Sequence, residues 1–369
     1  MHNPPTPGRI AALDGIRAIA VLLVVIAHSG IDWLVPGGFG VTVFFFLSGY
    51  LITTLMREEV AETGTVDLTA FYLRRGLRIF PPLYLTLVLC ALLWATGVFG
   101  AVAKPDPFTV FSQFAFFFNY TQLFGDLPSL PAPGIWSLAI EEHYYLVFPL
   151  LYLLLLRKLP RNAQAGACLL LCALPLLFRI VNVATLTDYS GNYHWTHTRI
   201  DSILLGACLA LANNPALDAD AWRPRSWQAG AAIALILLTF AIRSPVFRET
   251  IRYTLQGGAL YVLFSYAVGD DGRLSRLLAS PPARLVARYS YAIYLGHLPI
   301  LFALEGSGVR SAWVRAPIAL LLAFGYAAVL YRWVERPLGR WRARLHPRDR
   351  ASTRHDARPH SVASAHAAP

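Results

Sequence analysis

Long apolar runs separated by short polar connections set the pattern of this chain, and ten of the runs are predicted to be membrane-crossing helices. They fall at about 11–30, 37–56, 79–98, 137–156, 164–181, 199–213, 228–243, 253–269, 286–304 and 314–333. Crossing a hydrocarbon layer of about 30 Å takes roughly 20 residues of helix. The sixth and seventh runs are short by that measure and are read as longer, tilted or partly broken helices. The stretch FTVFSQFAFFFNYTQLF (108–124) is aromatic, but Ser112, Gln113, Asn119 and Gln122 interrupt it. It is predicted to be an interfacial or re-entrant helix. The fold class is therefore an all-α polytopic membrane protein with about ten transmembrane helices plus that one. A single membrane domain, 10–340, is expected between a short segment, 1–9, and a basic tail, 341–369, expected to be disordered.

Composition agrees with the pattern. Hydrophobic residues make up 56% of the 369 and charged residues only 14%, and the mean hydropathy is +0.48. A soluble domain carries about 25% charged residues, so a soluble enzyme is a poor first reading. The polar, Pro-rich first nine residues lead to the expectation that no cleavable signal peptide is present. The four cysteines, Cys90, Cys168, Cys172 and Cys208, all lie in apolar runs. They are read as small hydrophobes, with neither disulfide nor metal spacing.

The net charge of +11 changes the picture through its placement. Positive residues gather in connections 57–78 (Arg57, Arg74, Arg75, Arg78), 157–163, 214–227 and 270–285, and in the tail. Connections 31–36 and 305–312 carry little positive charge, while 244–252 departs from the pattern with Arg248 and Arg252. This asymmetry predicts cytoplasmic N- and C-termini and argues against a nucleic-acid partner. Counting 108–124 as a full crossing would invert the later connections.

Charges inside a membrane are costly and mark functional candidates. LDGIRAIAVLLVVIAH (13–28) holds three polar groups. On a helix Asp14 and Arg17 are neighbours at i, i+3. Arg17 and His28, eleven residues apart, face the same way within about 20° and lie about 16 Å apart along the axis. Asp14 could simply pair with Arg17, Arg199 with Asp201, and Glu335 with Arg332 or Arg336. His28 could be an interfacial histidine bonded to a neighbour.

Two further stretches add chemistry. In PAPGIWSLAIEEHYYLVFP (131–149), Trp136 suits an interface, Ser137 can cap the next helix, and Glu141 and Glu142 enter an apolar stretch. Adjacent residues point about 100° apart, so one carboxylate is expected to face a cavity and the other a structural partner. In FYLRRGLRIFPPLY (71–84), Arg74, Arg75 and Arg78 form a basic face at the cytoplasmic mouth. That face serves either topology and anionic lipid or a phosphate-bearing donor.

These residues resemble the integral-membrane acyltransferase-3 family, membrane-bound O-acyltransferases of sugars and glycans. The resemblance begins at LDGIRAIAVLLVVIAH and continues through GGFGVTVFFFLSGYLIT (37–53), FYLRRGLRIFPPLY and WSLAIEEHYYLVFP (136–149). RIDSILLGACLA (199–210), RYSYAIYLGHLP (288–299) and YRWVERPLGR (331–340) complete it in order. It implies ten core helices, a bacterial plasma-membrane location and transfer of an acetyl or other short acyl group to a hydroxyl of a sugar, glycan or glycosylated natural product. It implies catalytic roles for His28 and Arg17 and acyl-CoA contacts at Arg74, Arg75 and Arg78. Ser48, Glu142, Arg199, Tyr294 and His297 sit in characteristic blocks. Two positions depart: Thr42 stands where the family commonly has an acidic residue, and His143 where glutamine is frequent. The chain is also expected to lack the C-terminal hydrolase-like domain of some relatives, which would exclude a relay through such a domain in cis.

The reading that follows has His28 as general base and Glu142 and Asp14 as catalytic companions, with Asp14 orienting Arg17. Arg17, Arg74, Arg75, Arg78, Ser48, Arg199, Tyr294 and His297 would bind donor or acceptor. Acyl-CoA, in the first place acetyl-CoA, is the co-substrate, with no tightly bound cofactor and no metal. The partners are a sugar-containing acceptor and membrane lipid, and a covalent acyl-histidine stays open. A polytopic transporter or a non-catalytic assembly protein are the alternatives from other classes.

Overall fold

A computed structural model describes residues 11–100, 102–269 and 272–343, and among them the secondary structure is entirely helical. Segment 1–9 and the tail beyond Ala343 lie outside the described residues. The first part of the predicted tail, 341–343, belongs instead to a helix, Arg336–Ala343.

All ten predicted segments fall on helices. The chain runs through α1 (Ala11–Ile26), α2 (Gly37–Thr63), α3 (Leu68–Ala95), the short α4 (Pro107–Phe114), α5 (Trp136–Leu154) and α6 (Arg161–Thr185). It continues through α7 (Thr196–Arg199), α8 (Asp201–Ala212), α9 (Ser226–Ala241), α10 (Pro245–Glu249) and α11 (Arg252–Gly269). It ends with α12 (Arg273–Leu278), α13 (Pro281–Gly306), α14 (Ala312–Leu330) and α15 (Arg336–Ala343). Six continuous helical stretches are long and apolar enough to cross a membrane: Ala11–Ile31, Gly37–Thr63, Leu68–Ala95, Pro133–Lys158, Arg161–Thr185 and Ala312–Ala343. Helices α8 and α9 are apolar but have only 12 and 16 residues. Neither they nor α11 and α13 meet both criteria, so a count of ten crossings stays a sequence expectation beyond the six.

Two expectations need correction. Connection 57–78 is mostly helix: α2 persists to Thr63 and α3 starts at Leu68, capped by the Asp67 carboxylate on the Ala70 N–H. Arg57, Arg74, Arg75 and Arg78 therefore stand on helices, and Pro81 and Pro82 lie within α3. The 108–124 stretch is no single helix. It is the eight-residue α4, whose Asp106 cap binds the N–H groups of Phe108 and Thr109, followed by a tighter turn, Phe118–Phe124.

The central contact is between α2 and α8, where small residues let two backbones meet. A Cβ on Gly49 would stand 1.8 Å from the Ile203 carbonyl oxygen, and one on Gly206 1.9 Å from that of Phe46. Only glycine fits at both positions. A second fastening is the fully buried Arg179–Asp201 pair, 2.8 Å apart. Arg179 also donates to the Thr250 carbonyl (2.8 Å), the Thr254 hydroxyl (2.7 Å) and the Thr198 carbonyl. It ties α6, α8 and α11 together, and it was not among the sequence candidates. The four cysteines are buried and unbridged, as expected.

Candidate active site

Three linked spaces run along α1 from its first turn to its last. At the first-turn end a cavity of about 490 Å³ is lined by Arg17, Arg78, Arg284, Arg288 and Arg342 against two carboxylates, Asp14 and Glu335. Beside it a cavity of about 310 Å³ adds Arg74 and Arg75. Asp14 and Arg17 are 3.9 Å apart, as their spacing predicts. Arg74 is committed to Glu59 at 3.1 Å, and Arg75 stacks against Tyr145 and Phe71. Arg78 faces both cavities and has no hydrogen bond or ion pair among the described residues.

This basic mouth narrows into a neck of about 90 Å³ that shares Arg17, Arg78, Ser290 and Tyr291 with it. Both Glu141 and Glu142 line the neck, so the adjacent carboxylates are not divided between cavity and structure. They differ in bonding. Glu141 accepts from Ser48 (3.0 Å) and Tyr145 (2.7 Å), whereas Glu142 Oε1 is buried without a hydrogen-bond partner. At the far end of the neck stands Tyr294, whose hydroxyl donates to the Gly134 carbonyl (2.9 Å) and meets the Ser137 hydroxyl at 2.6 Å. Ser137 thus does not cap α5. It fixes Tyr294, which lines the neck and the next space alike.

The third space, about 330 Å³, holds His28, Asn119, Trp136, Tyr193, His194 and Tyr294 on its wall. Past Ile26, α1 opens into a wider π-turn, Ala27–Ile31, in which Gly30 takes φ 97°. Such turns are frequent at functional sites, and this one presents the His28 ring, which stays accessible. Trp136 is buried rather than interfacial and forms part of this wall.

His28 and His297 are bonded, Nδ1 to Nε2 at 3.0 Å, with stacked rings. His297 is fully buried, and its Nδ1 lies 2.5 Å from the Tyr294 carbonyl. A carbonyl only accepts, so His297 Nδ1 carries hydrogen and the Nε2 of the neutral ring accepts. His28 Nδ1 must then donate, which leaves His28 Nε2 as the nitrogen with a free lone pair.

Three candidates lie elsewhere or pair differently. Asp14 sits in the mouth, about 21 Å along α1 from His28. Arg199 does not pair with Asp201, which Arg179 takes. It is fully buried, bonds the Thr42 hydroxyl (3.2 Å) and lies 3.7 Å over the Tyr253 ring. Residues two apart do not face each other on a helix, and the chain breaks between α7 and α8 at this point. Glu335 makes no ion pair with Arg332 or Arg336. It closes a π-turn, Tyr331–Glu335, which rotates it into the mouth with Arg78 and Arg342.

Sequence reasoning missed Asn119 and His194 as site residues. Burial, and behind it the Arg199 cation, pushes His194 down to about 4, so this loop histidine is neutral at ordinary pH. His143 bonds the Thr196 hydroxyl through its Nδ1 at 2.7 Å, the same hydroxyl that accepts from Asn119.

A basic mouth, a neck lined by two carboxyls and a histidine with a free nitrogen thus follow one another along α1. The chain belongs to the acyltransferase family whose model, described as an acyltransferase domain, matches residues 10–332. It is similar to the O-acetyltransferase OatA of Staphylococcus aureus strain NCTC 8325, with 30% identity over 360 residues, covering 90% of this chain and 58% of that protein. A putative O-acetyltransferase of S. aureus strain COL is 30% identical over 362 residues, covering 89% of this chain and 57% of its own length. The chain thus spans under three fifths of the length of these relatives. No solved structure matches it significantly.

Proposed function

We propose that the protein is a membrane-bound O-acetyltransferase that moves an acyl group from acyl-CoA, in the first place acetyl-CoA, to a hydroxyl of a sugar-containing acceptor. The observation that carries this reading is the run of spaces with shared walls, from an arginine-lined mouth to the accessible ring of His28. The arginines suit the phosphates of a CoA head. The narrow neck suits a thin, unbranched pantetheine arm, which would bring the thioester toward His28.

His28 Nε2 takes the proton of the acceptor hydroxyl as its oxygen attacks the thioester carbonyl. The carbon–sulfur bond breaks, the ester forms, and the CoA thiolate recovers the proton from the His28 imidazolium. His297 acts as a positioning residue, since its Nε2 lone pair holds the Nδ1–H of His28 throughout. The mouth faces the cytoplasm of a bacterial plasma membrane and the His28 cavity the opposite side. Membership of an acyltransferase family does not favour the transporter alternative.

The test is purified protein with labelled acetyl-CoA and a panel of glycans and glycosylated small molecules. CoA release matched by an O-acetylated product is expected. Substrate flux in proteoliposomes without any acylated product would overturn the reading.

A further inference from the structure

Every lining residue named for the His28 cavity other than its histidines is uncharged. Two of its polar groups nevertheless end on atoms that have no hydrogen-bond partner among the described residues. Asn119 is 2% exposed. Its Nδ2 donates to the Thr196 hydroxyl at 2.9 Å, and its Oδ1 has no partner. His194 Nδ1 is buried and unpartnered as well. Buried polar atoms are nearly always bonded, and leaving one unpaired costs about 1–3 kcal/mol. Both residues line this one cavity, and their two unpaired atoms call for a visitor with hydroxyl groups.

The rest of the wall suits the same visitor. Trp136 contacts His194 edge to face at 4.9 Å and leans on Tyr193 at 5.0 Å, so indole, imidazole and phenol form one packed aromatic side. A sugar ring has apolar C–H faces and a polar hydroxyl rim. The volume, about 330 Å³, falls at the lower end of small-molecule sites, ~300–1,000 Å³.

We propose that Asn119 and His194 form a hydroxyl-reading subsite that holds an uncharged sugar ring of the acceptor against Trp136, with one further hydroxyl presented to His28. Asn119 Oδ1 accepts from one ring hydroxyl, and His194 Nδ1 bonds a second. This rests on the acyl-transfer reading above and deepens it, because it names the part of the acceptor that is recognised. The ring is selected by where its hydroxyls stand, not by charge.

The experiment compares wild type, Asn119→Ala, Asn119→Asp and His194→Phe with acetyl-CoA and a panel of uncharged methyl glycosides, followed by the monodeoxy analogues of whichever glycoside is used best. For wild type, two of the deoxy analogues are expected to be about tenfold poorer than the parent in kcat/KM, the worth of one hydrogen bond. Asn119→Ala should lose discrimination against one of them and His194→Phe against the other, with the KM for acetyl-CoA unchanged. Asn119→Asp keeps an accepting oxygen and should keep the discrimination, which guards against a folding explanation. Unaltered deoxy discrimination in both Asn119→Ala and His194→Phe would overturn the subsite while leaving acyl transfer intact. Wild type that acetylates no acceptor of any kind would instead remove the reading on which the subsite rests.

Discussion

His28 and His297, 269 positions apart in sequence, are joined through their ring nitrogens at 3.0 Å, and the Tyr294 carbonyl behind His297 orders the protons of the pair. The nitrogen left free belongs to His28. His28→Ala is therefore expected to lower O-acylation at least a hundredfold, the usual worth of a positioned base, while CoA binding is kept. His297→Phe should lower kcat about tenfold with the donor KM unchanged, because the base remains but is no longer aimed. Arg17→Ala should weaken donor binding or folding, since it removes a guanidinium that lines both the mouth and the neck. Parallel CoA-binding and product assays on monodisperse variants check all three. Substantial transfer by His28→Ala would remove it as the base.

Arg78 and Arg74 are one helical turn apart but have different employment. Arg74 already holds Glu59, while Arg78 faces both mouth cavities and the neck without a hydrogen bond or ion pair among the described residues. Arg78→Ala should weaken binding of CoA or desulfo-CoA about tenfold, as expected for a lost charge-assisted bond. Arg74→Ala should cost stability more than affinity. Calorimetric titration beside a melting curve separates the two, and unchanged CoA affinity in Arg78→Ala would return the mouth to a purely topological role.

For the neighbouring carboxylates, Glu142→Gln is expected to impair turnover more than Glu141→Gln. A glutamine at 141 still accepts from Ser48 and Tyr145, so the neck keeps its shape. At 142 the unpartnered oxygen has no protein bond to preserve, and what is lost is a carboxyl group, able to give or take a proton, on the wall of the neck. Equal activities, or the reverse order, would reject the assignment.

Asp218, in the connection after α8, is clamped by Arg57 at 2.7 Å and by Arg161. Burial alone would raise its carboxyl, but the Arg57 bonds, the Asn214 N–H and the Arg161 charge outweigh it and hold it below the ordinary value. A depressed folded-state value means that this stabilisation is fully present above the unfolded value, about 3.9. It is lost as pH falls further, through the folded one. Asp218→Asn should cost about 3 kcal/mol at neutral pH, because it leaves two guanidiniums facing each other. The gap in melting temperature between wild type and variant should close below about pH 4. A gap that is constant with pH would show that charge is not the cause.

Orientation has its own test. Thr65 lies exposed between α2 and α3 at the mouth end, and Ser307 lies exposed after α13. Thr65→Cys should react only with reagent that crosses the membrane, and Ser307→Cys with impermeant reagent added outside. The opposite result would invert the topology.

How far the sequence carried the reading follows from what each residue faces. Ten apolar runs became helices because burial in lipid or protein leaves a strong periodic trace. The true ends of α2 and α3 did not show, since Arg57, Arg74, Arg75 and Arg78 are polar residues turned toward a cavity or toward Asp218, and on paper they look like connections. Arg179 went unnoticed at the end of a drawn crossing, although a guanidinium among FRIVNV was the signal that a carboxylate lay nearby. Asn119 and His194 come from segments without periodicity, and their meeting beside His28 depends on chain separations that no local pattern records.

The close approach of α2 and α8 at Gly49 and Gly206 has a dynamic consequence. Helices whose backbones touch cannot slide or part without losing their whole interface, so α2 and α8 behave as one plate. Ser48 and Val41, on α2, line the neck from that plate. Any breathing that lets a ligand pass the narrow neck must come from the facing wall, where Tyr294 is latched only by two hydrogen bonds to Gly134 and Ser137.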